Sequence, residues 1–235
     1  RPAIATRTGS PAAATAPARV LGLDTALSSE LEVGPGDQDD RHCQQHHRRS
    51  GEALAEVLRQ HNVWIILDEI YAELFYDGGS APSLLSVAPD LRERTIIVDG
   101  VSKSYAMTGF RVGWILASRE IAQACEKLQS QCTTSIATLA QLAAIAALSG
   151  DQACVAQMRE AYRERRDVLL EGLASIPGFK CQKPNGAFYV FADVRGLYGR
   201  EVEGRVLQSD VDVAEWLLTA AKVAGVPGVA FGGPG

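Results

Sequence analysis

The sequence is poor in residues that mark several common classes of protein. It has five lysines against eighteen arginines, four histidines, and five cysteines that are scattered without a CxxC pair. Dispersed cysteines in an odd number argue against a disulfide framework and a zinc site, and they favour a reducing, cytoplasmic compartment. No run approaches the roughly eighteen consecutive apolar residues of a membrane-spanning helix, so none is predicted.

Positive charge and phosphate-binding loops are lacking as well. The formal net charge is -5 at pH 7 and no predicted helix has a basic stripe, so composition gives no reason to expect a nucleic-acid partner. The chain has no GxxxxGK[ST] loop, which excludes the usual nucleotide hydrolases. What it does have is 235 residues that are 46% hydrophobic, enough for a substantial buried core.

Three segments of different composition follow one another along the chain. Residues 1–50 show no sustained apolar periodicity, and we predict irregular or disordered structure there. Residues 51–176 alternate strand-like and helix-like patterns, which predicts an α/β domain with a largely parallel sheet. Residues 177–235 predict part of a smaller α+β domain. A histidine-rich cluster in the first segment matches no standard zinc spacing, so no metal site is predicted: His42, Cys43, His46 and His47.

Two apolar runs of the middle segment end close to residues that can do chemistry. Residues 63–67 predict a buried strand that leads into Asp68 and Tyr71, and residues 95–98 predict a second strand, followed by Lys103. The last predicted strand contains Phe188 and Tyr189, which strand alternation would bury in the core. Further strands are predicted at 112–117 and 186–191, and helices at 52–60, 119–149, 151–176 and 211–223.

These two strand ends become informative when they are considered together. Alone, Asp68 could simply be a capping acid at a strand-to-helix junction. Ligands of open α/β sheets bind outside the carboxyl ends of the strands, so neighbouring strands would bring Asp68 and Lys103 to one crevice. A carboxylate there keeps a pyridine nitrogen protonated, and the Lys103 amine can form a Schiff base and later act as a general base. The Tyr71 hydroxyl suits a phenolic oxygen, and Ser102 with Arg111 suits a phosphate.

Four pieces of the chain then carry a family resemblance. They are Ile66-Leu-Asp-Glu-Ile-Tyr71, Gly100-Val-Ser-Lys-Ser-Tyr-Ala-Met-Thr-Gly-Phe-Arg-Val-Gly-Trp114, Lys183-Pro-Asn-Gly-Ala-Phe-Tyr-Val-Phe191 and Val226-Pro-Gly-Val-Ala-Phe-Gly-Gly-Pro-Gly235. In this order they resemble the class I pyridoxal-phosphate-dependent aminotransferases of fold type I, most closely the bacterial aspartate aminotransferase group. The resemblance implies a three-layer α/β large domain with a mainly parallel sheet, incomplete here, and part of a small α+β C-terminal domain.

The resemblance also implies a role for each candidate residue. Lys103 would be the catalytic lysine that binds pyridoxal 5'-phosphate, and Asp68 would be the partner of the ring nitrogen. Tyr71 would contact the phenolic oxygen, while Ser102 and Arg111 would bind the phosphate. The implied reaction is transamination between an amino acid, with aspartate as a candidate, and a 2-oxo acid. The full-length family is expected to form homodimers, without nucleic acid or membrane.

The chain departs from this family at both of its ends. In the family a long segment precedes the Asp-Glu-Ile-Tyr strand, and an arginine that binds the substrate carboxylate follows the Gly-Gly-Pro-Gly turn. Neither is readable here, so we expect a fragment with impaired activity, and we hypothesise that residues 1–50 come from a shifted reading frame or a wrong exon boundary. Two alternatives stay open: a catalytically inactive fragment, and the aminotransferase-like domain of a transcriptional regulator, although residues 1–50 show no helix-turn-helix pattern.

Overall fold

The computed structural model describes residues 20–24, 40–78 and 80–232, with side chains described from residue 48 onward. The chain divides into two compact units, Arg1–Arg159 and Glu160–Gly235. The described residues contain eight strands and seven α-helices. The strands are β1 Val20–Asp24, β2 Trp64–Asp68, β3 Thr95–Gly100, β4 Gly113–Leu116, β5 Lys180–Cys181, β6 Ala192–Asp193, β7 Glu201–Val202 and β8 Arg205–Val206. The helices are α1 Asp40–Arg59, α2 Leu84–Val87, α3 Val101–Ser104, α4 Arg119–Cys132, α5 Thr138–Ser149, α6 Ala153–Ala174 and α7 Asp210–Trp216.

The first unit is built on a four-stranded sheet in the order β1-β2-β3-β4. β1 pairs with β2 and β2 pairs with β3 in parallel, whereas β4 runs antiparallel to β3. The register aligns Asp24 with Asp68 and Asp68 with Val98. The carboxyl ends of the three parallel strands therefore meet at one edge of the sheet, and the two strands that carry the chemistry are neighbours.

One face of β2 packs against α1 because side chains alternate along a strand. Ile65 and Leu67 are buried on that face and form a core cluster with Ala55 and Leu58 of α1. The same cluster includes Leu84 of α2. Burying each leucine or isoleucine stabilises the fold by about 1.5–3 kcal/mol, so this small core holds α1 on the sheet.

The Arg94 guanidinium binds carbonyl groups in the last turn of α1 and in the segment that follows it. Its Nη2 donates to the Leu58 carbonyl at 2.6 Å, and its Nη1 donates to the Val63 carbonyl at 3.3 Å and to the His61 carbonyl. Because Arg94 lies immediately before β3, these bonds join the end of α1 to the start of both central strands.

The second unit has its own core, in which Leu207 and Val213 are buried together with Leu197. The β7–β8 hairpin is joined to α7 through Arg205, which donates to the carboxylates of Asp212 and Glu215. Asp212 also closes a capping box at the start of α7. Five 3-10 or π-helical turns complete the described chain: Pro89–Arg94, Thr108–Phe110, Arg195–Leu197, Leu217–Ala221 and Gly228–Phe231.

Two of the predicted elements are wrong. The single helix predicted at 119–149 is divided into α4 and α5, and the break contains Thr134 in the left-handed region at φ 65°. The strand predicted at 186–191 does not form, because Ala187 also has a positive φ of 57° and the ladder begins only at Ala192. Phe188 and Tyr189 are therefore not core residues; they are 40% and 56% exposed, with ring centroids 4.9 Å apart.

The structure also differs from the prediction of irregular structure in residues 1–50. β1 forms there through pairing with β2, and α1 begins at Asp40 because its first residues continue the helix predicted at 52–60. The unit boundary falls within α6, before the boundary at residue 177 that composition suggested. The rest of the segment and the side chains of His42, Cys43, His46 and His47 lie outside the described part of the chain.

Among the described residues, no single helix is long and apolar enough to cross a membrane. α5 and α6, which are bent by 83° at the break between them, meet the length and composition criteria only as a pair.

Candidate functional site

The candidate site begins at the carboxyl end of β2. Asp68 is the last residue of the strand, half-buried, and its Oδ1 accepts a hydrogen bond from the Ile70 amide at 3.1 Å. The Glu69 amide donates to the Val98 carbonyl at 2.9 Å, so the chain beyond β2 remains bound to β3. It then turns, and the Leu74 amide donates to the Tyr71 carbonyl at 2.9 Å. These bonds hold the chain just after Asp68 against β3 and close a turn at Tyr71.

Lys103 lies on α3, a single helical turn that follows β3 without a loop. Gly100 makes this junction possible, because a Cβ at this position would lie 2.8 Å from the Val112 carbonyl oxygen and 3.0 Å from the Gly113 Cα. Val101 is fully buried, and its amide donates to the same Val112 carbonyl at 3.3 Å. The turn that carries Lys103 is thus packed directly against the start of β4.

The structure brings Lys103 and Tyr71 together. The Lys103 Nζ lies 5.6 Å from the centroid of the Tyr71 ring. A cation at this distance from an aromatic face gains about 0.5–1 kcal/mol at an exposed site and more where water is excluded. Asp68 lies three residues before Tyr71, so an amine, a phenol and a carboxylate are presented by the ends of two neighbouring strands, as the sequence predicted.

Negative charge is concentrated in this part of the first unit. The pKa of the Asp99 carboxyl group is raised, mainly because burial disfavours its charge and further because Glu69, Glu73 and Asp68 are close. A hydrogen bond from the following amide, 2.6 Å long, opposes this increase.

The two proposed phosphate residues lie in different surroundings. Ser102 is half-buried on α3 beside Lys103. Arg111 is exposed, follows a short 3-10 turn and has a left-handed backbone at φ 56°. Its Nη1 donates to the Thr108 carbonyl at 3.1 Å. A phosphate bound by Arg111 would therefore contact a guanidinium that is already hydrogen-bonded to the preceding turn.

Two residues near the site were missed in the sequence. The Tyr105 hydroxyl donates to the Gln152 Oε1 at 2.7 Å, across 47 residues of sequence. Tyr105 belongs to the same motif as Lys103, but nothing in the local pattern around Gln152 indicates this contact. Only the folded arrangement of α3 beside the junction of α5 and α6 reveals it.

Comparison with known proteins establishes the family. Residues 48–235 match the family model described as aminotransferase class I and II. The chain belongs to that family. Among its relatives, the aspartate aminotransferase of Streptomyces avermitilis is 42% identical over 188 residues, which cover 80% of this chain and 46% of that protein. The aspartate/prephenate aminotransferase of Nitrosomonas europaea is 43% identical over 184 residues, covering 77% of this chain and 46% of that protein.

Solved aminotransferase structures share the fold. The aspartate aminotransferase of Rhizobium meliloti superposes with a TM-score of 0.77 at 34% identity, covering 92% of this chain and 52% of that one. An aromatic aminotransferase from Pyrococcus horikoshii gives a TM-score of 0.73 at 30% identity, covering the same shares of the two chains. The α/β units described above are therefore a partial aminotransferase fold of fold type I, and the chain spans about half the length of the curated relatives it matches.

Asp68 and Lys103, at the ends of neighbouring strands, fit the cofactor of this family, pyridoxal 5'-phosphate. A primary amine is needed for its aldehyde, and Lys103 supplies one on the turn after β3. A carboxylate is needed for its ring nitrogen, and Asp68 supplies one at the end of the adjacent strand. The fit rests on donor chemistry and strand order.

Proposed function

We propose that this chain is part of an enzyme that transfers an amino group from an amino acid to a 2-oxo acid, with pyridoxal 5'-phosphate as cofactor and Lys103 as the catalytic residue. The observation that carries the proposal is the position of the Lys103 amine, 5.6 Å from the centroid of the Tyr71 ring. Lys103 lies on the turn that follows β3, and β3 is the neighbour of the strand that ends in Asp68. Membership of the aminotransferase family and relatives named aspartate aminotransferase support it.

Each residue has a part in this proposed mechanism. Pyridoxal phosphate, when bound, supplies the electron sink that makes amino-acid carbanion chemistry accessible. Lys103 would bind the aldehyde of the cofactor and would move a proton at the substrate α-carbon. Asp68 would keep a proton on the ring nitrogen, and the Tyr71 hydroxyl would donate to the phenolic oxygen. Ser102 and Arg111 would hold the phosphate, the arginine through a charge-assisted hydrogen bond.

The relatives also suggest a substrate and a setting. They are an aspartate aminotransferase and an aspartate/prephenate aminotransferase, so aspartate is the proposed amino donor and amino-acid metabolism the proposed process. We propose that the full-length protein is a homodimer, as expected for its family. The four cysteines whose side chains are described, Cys125, Cys132, Cys154 and Cys181, are free thiols, which supports a cytoplasmic location.

Transfer of a labelled amino group tests this function. The chain would be incubated with pyridoxal phosphate, ¹⁵N-aspartate and 2-oxoglutarate, and the ¹⁵N content of glutamate would be followed by mass spectrometry. We expect transfer that Lys103→Ala abolishes and that the matched control Lys127→Ala, on the exposed surface of α4, preserves. Transfer that survives Lys103→Ala would refute the assigned role. Absence of transfer from a chain that carries the cofactor would favour the inactive alternative.

A further inference from the structure

The turn that carries Lys103 is connected to the junction of α5 and α6 by a chain of side-chain hydrogen bonds. The Tyr105 hydroxyl donates to the Gln152 Oε1 at 2.7 Å. The Gln152 Nε2 donates in turn to the Ala147 carbonyl at 3.1 Å and to the Gly150 carbonyl at 2.7 Å. Gln152 therefore satisfies carbonyls at the end of α5 and receives a hydrogen bond from the Lys103 motif at the same time.

Tyr105 is linked to Lys103 through the backbone as well. Its amide donates to the Val101 carbonyl at 3.2 Å, and the next amide, of Ala106, donates to the Lys103 carbonyl at 3.3 Å. The Tyr105 side chain packs against a buried cluster that joins Val101 to Ala140 of α5. A displacement of Tyr105 would therefore displace the helical turn from which the Lys103 side chain extends.

Each hydrogen bond between Tyr105, Gln152 and the two carbonyls has one donor and one acceptor. The Tyr105 hydroxyl is the donor because the Gln152 Oε1 only accepts, and the Gln152 amide nitrogen has two donor hydrogens for its two carbonyl partners. Burial, with a smaller effect of Glu73, raises the pKa of the Tyr105 hydroxyl above its ordinary value. The hydroxyl therefore keeps its donor proton throughout the neutral range.

We propose that Gln152, acting through the Tyr105 hydroxyl, is a positioning residue for Lys103. The inference rests on the proposed function, because the placement matters for attachment of pyridoxal phosphate to the Lys103 amine. A fixed turn presents the amine to the cofactor in one orientation, whereas a loosened turn makes the same amine more accessible to any small reagent but less well placed for the cofactor.

Two measurements with opposite expected directions test the proposal. The first is the initial rate at which pyridoxal phosphate becomes fixed to Lys103 under borohydride reduction, located by peptide mass spectrometry. The second is acetylation of Lys103 by acetic anhydride relative to Lys127, which is exposed on α4. We expect Gln152→Ala to slow cofactor attachment about fivefold, the factor that corresponds to one net hydrogen bond, and to raise the acetylation ratio.

Matched variants separate positioning from general destabilisation. Tyr105→Phe removes only the hydroxyl and should reproduce most of the effect, and the double variant should add little to Gln152→Ala because both changes break the same bond. Gln141→Ala is the control, since the Gln141 Nε2 likewise donates to a carbonyl near the start of α5, that of Ile136, at 2.7 Å. It should change neither measurement.

Three results would overturn the proposal: equal effects of Gln152→Ala and Gln141→Ala, additive effects of the two single variants, or an acetylation ratio that no variant changes. If the unsubstituted chain does not fix pyridoxal phosphate at Lys103 at all, the proposed function fails. The acetylation ratio then still decides whether the hydrogen-bond chain positions the lysine.

Discussion

The lysine side and the arginine side of the candidate site are organised very differently. Around Lys103 the backbone is tightly packed: Val101 is fully buried, and Gly100 approaches the backbone of β4 too closely for a side chain. Around Arg111 the preceding turn is exposed, and a side chain at Gly109 would meet nothing within 4 Å. One sequence motif thus contains a tightly packed turn at Lys103 and an open turn at Arg111, where we propose that phosphate binds. Binding at the open turn must offset the cost of ordering it.

The largest expected effect is the difference in stability between two glycine-to-alanine variants, one on the lysine side and one on the arginine side. Gly100→Ala would place a Cβ against backbone atoms that cannot rotate away, and we expect a loss of about 3 kcal/mol in the free energy of unfolding. Gly109→Ala should be neutral or slightly stabilising, because the space is open and alanine restricts the unfolded chain. Urea unfolding of the two variants measures the difference. Similar losses for both glycines would show that the two sides are equally packed.

The carboxylate at the end of β2 should matter for the cofactor more than for the fold. In Asp68→Asn the side-chain oxygen can still accept a hydrogen bond from the Ile70 amide, so the free energy of unfolding should change little. Loss of the charge should weaken binding of pyridoxal phosphate by about 2 kcal/mol, the value of a charge-assisted hydrogen bond. Absorbance titration gives the dissociation constant. The control Glu69→Gln should leave it nearly unchanged, and the reverse ranking would reassign the ring-nitrogen partner.

Arg111 should contribute less, because it is exposed. We expect Arg111→Ala to weaken the binding of pyridoxal phosphate by about 1 kcal/mol. The binding of pyridoxal, which has no phosphate, should not change. The difference should decrease with added salt, which screens exposed charges. Parallel titrations with the two compounds at low and high salt measure it. Equal weakening of both would mean that Arg111 does not bind the phosphate.

The smallest expected effect is a pH dependence near the lysine side. Asp99 has a raised carboxyl pKa, so its ionised form destabilises the fold and protonation relieves this as pH falls through the raised pKa. Asp99→Asn should therefore be slightly more stable than the unsubstituted chain at neutral pH, and the advantage should disappear in acid. Thermal unfolding between neutral and acidic pH measures this. An advantage that grows as pH falls would contradict the raised pKa.

Local patterns in the sequence were sufficient for the centre of the site. The apolar runs before Asp68 and Lys103 form β2 and β3, and one face of β2 is buried against α1 while the other is half-buried. The sheet order makes β2 and β3 neighbours. The motif that contains Lys103 predicted the family, which the family model confirms.

Other features depend on contacts that no local pattern contains. The break between α4 and α5 and the missing strand at 186–191 both involve non-glycine residues with positive φ, Thr134 and Ala187, which helix and strand periodicity do not anticipate. β1 forms by pairing with β2, and Gln152 is informative only because Tyr105 reaches it. The assigned roles of all five site residues remain predictions from the family resemblance: Asp68, Tyr71, Ser102, Lys103 and Arg111.

Site-resolved trapping of the cofactor tests the central claim most directly. The chain would be mixed with pyridoxal phosphate, reduced with borohydride, digested and examined for modified lysines by mass spectrometry. We expect one reduced cofactor per chain, on Lys103, with little on the other four lysines: Lys127, Lys180, Lys183 and Lys222. Modification spread over those four lysines, or none on Lys103, would contradict it.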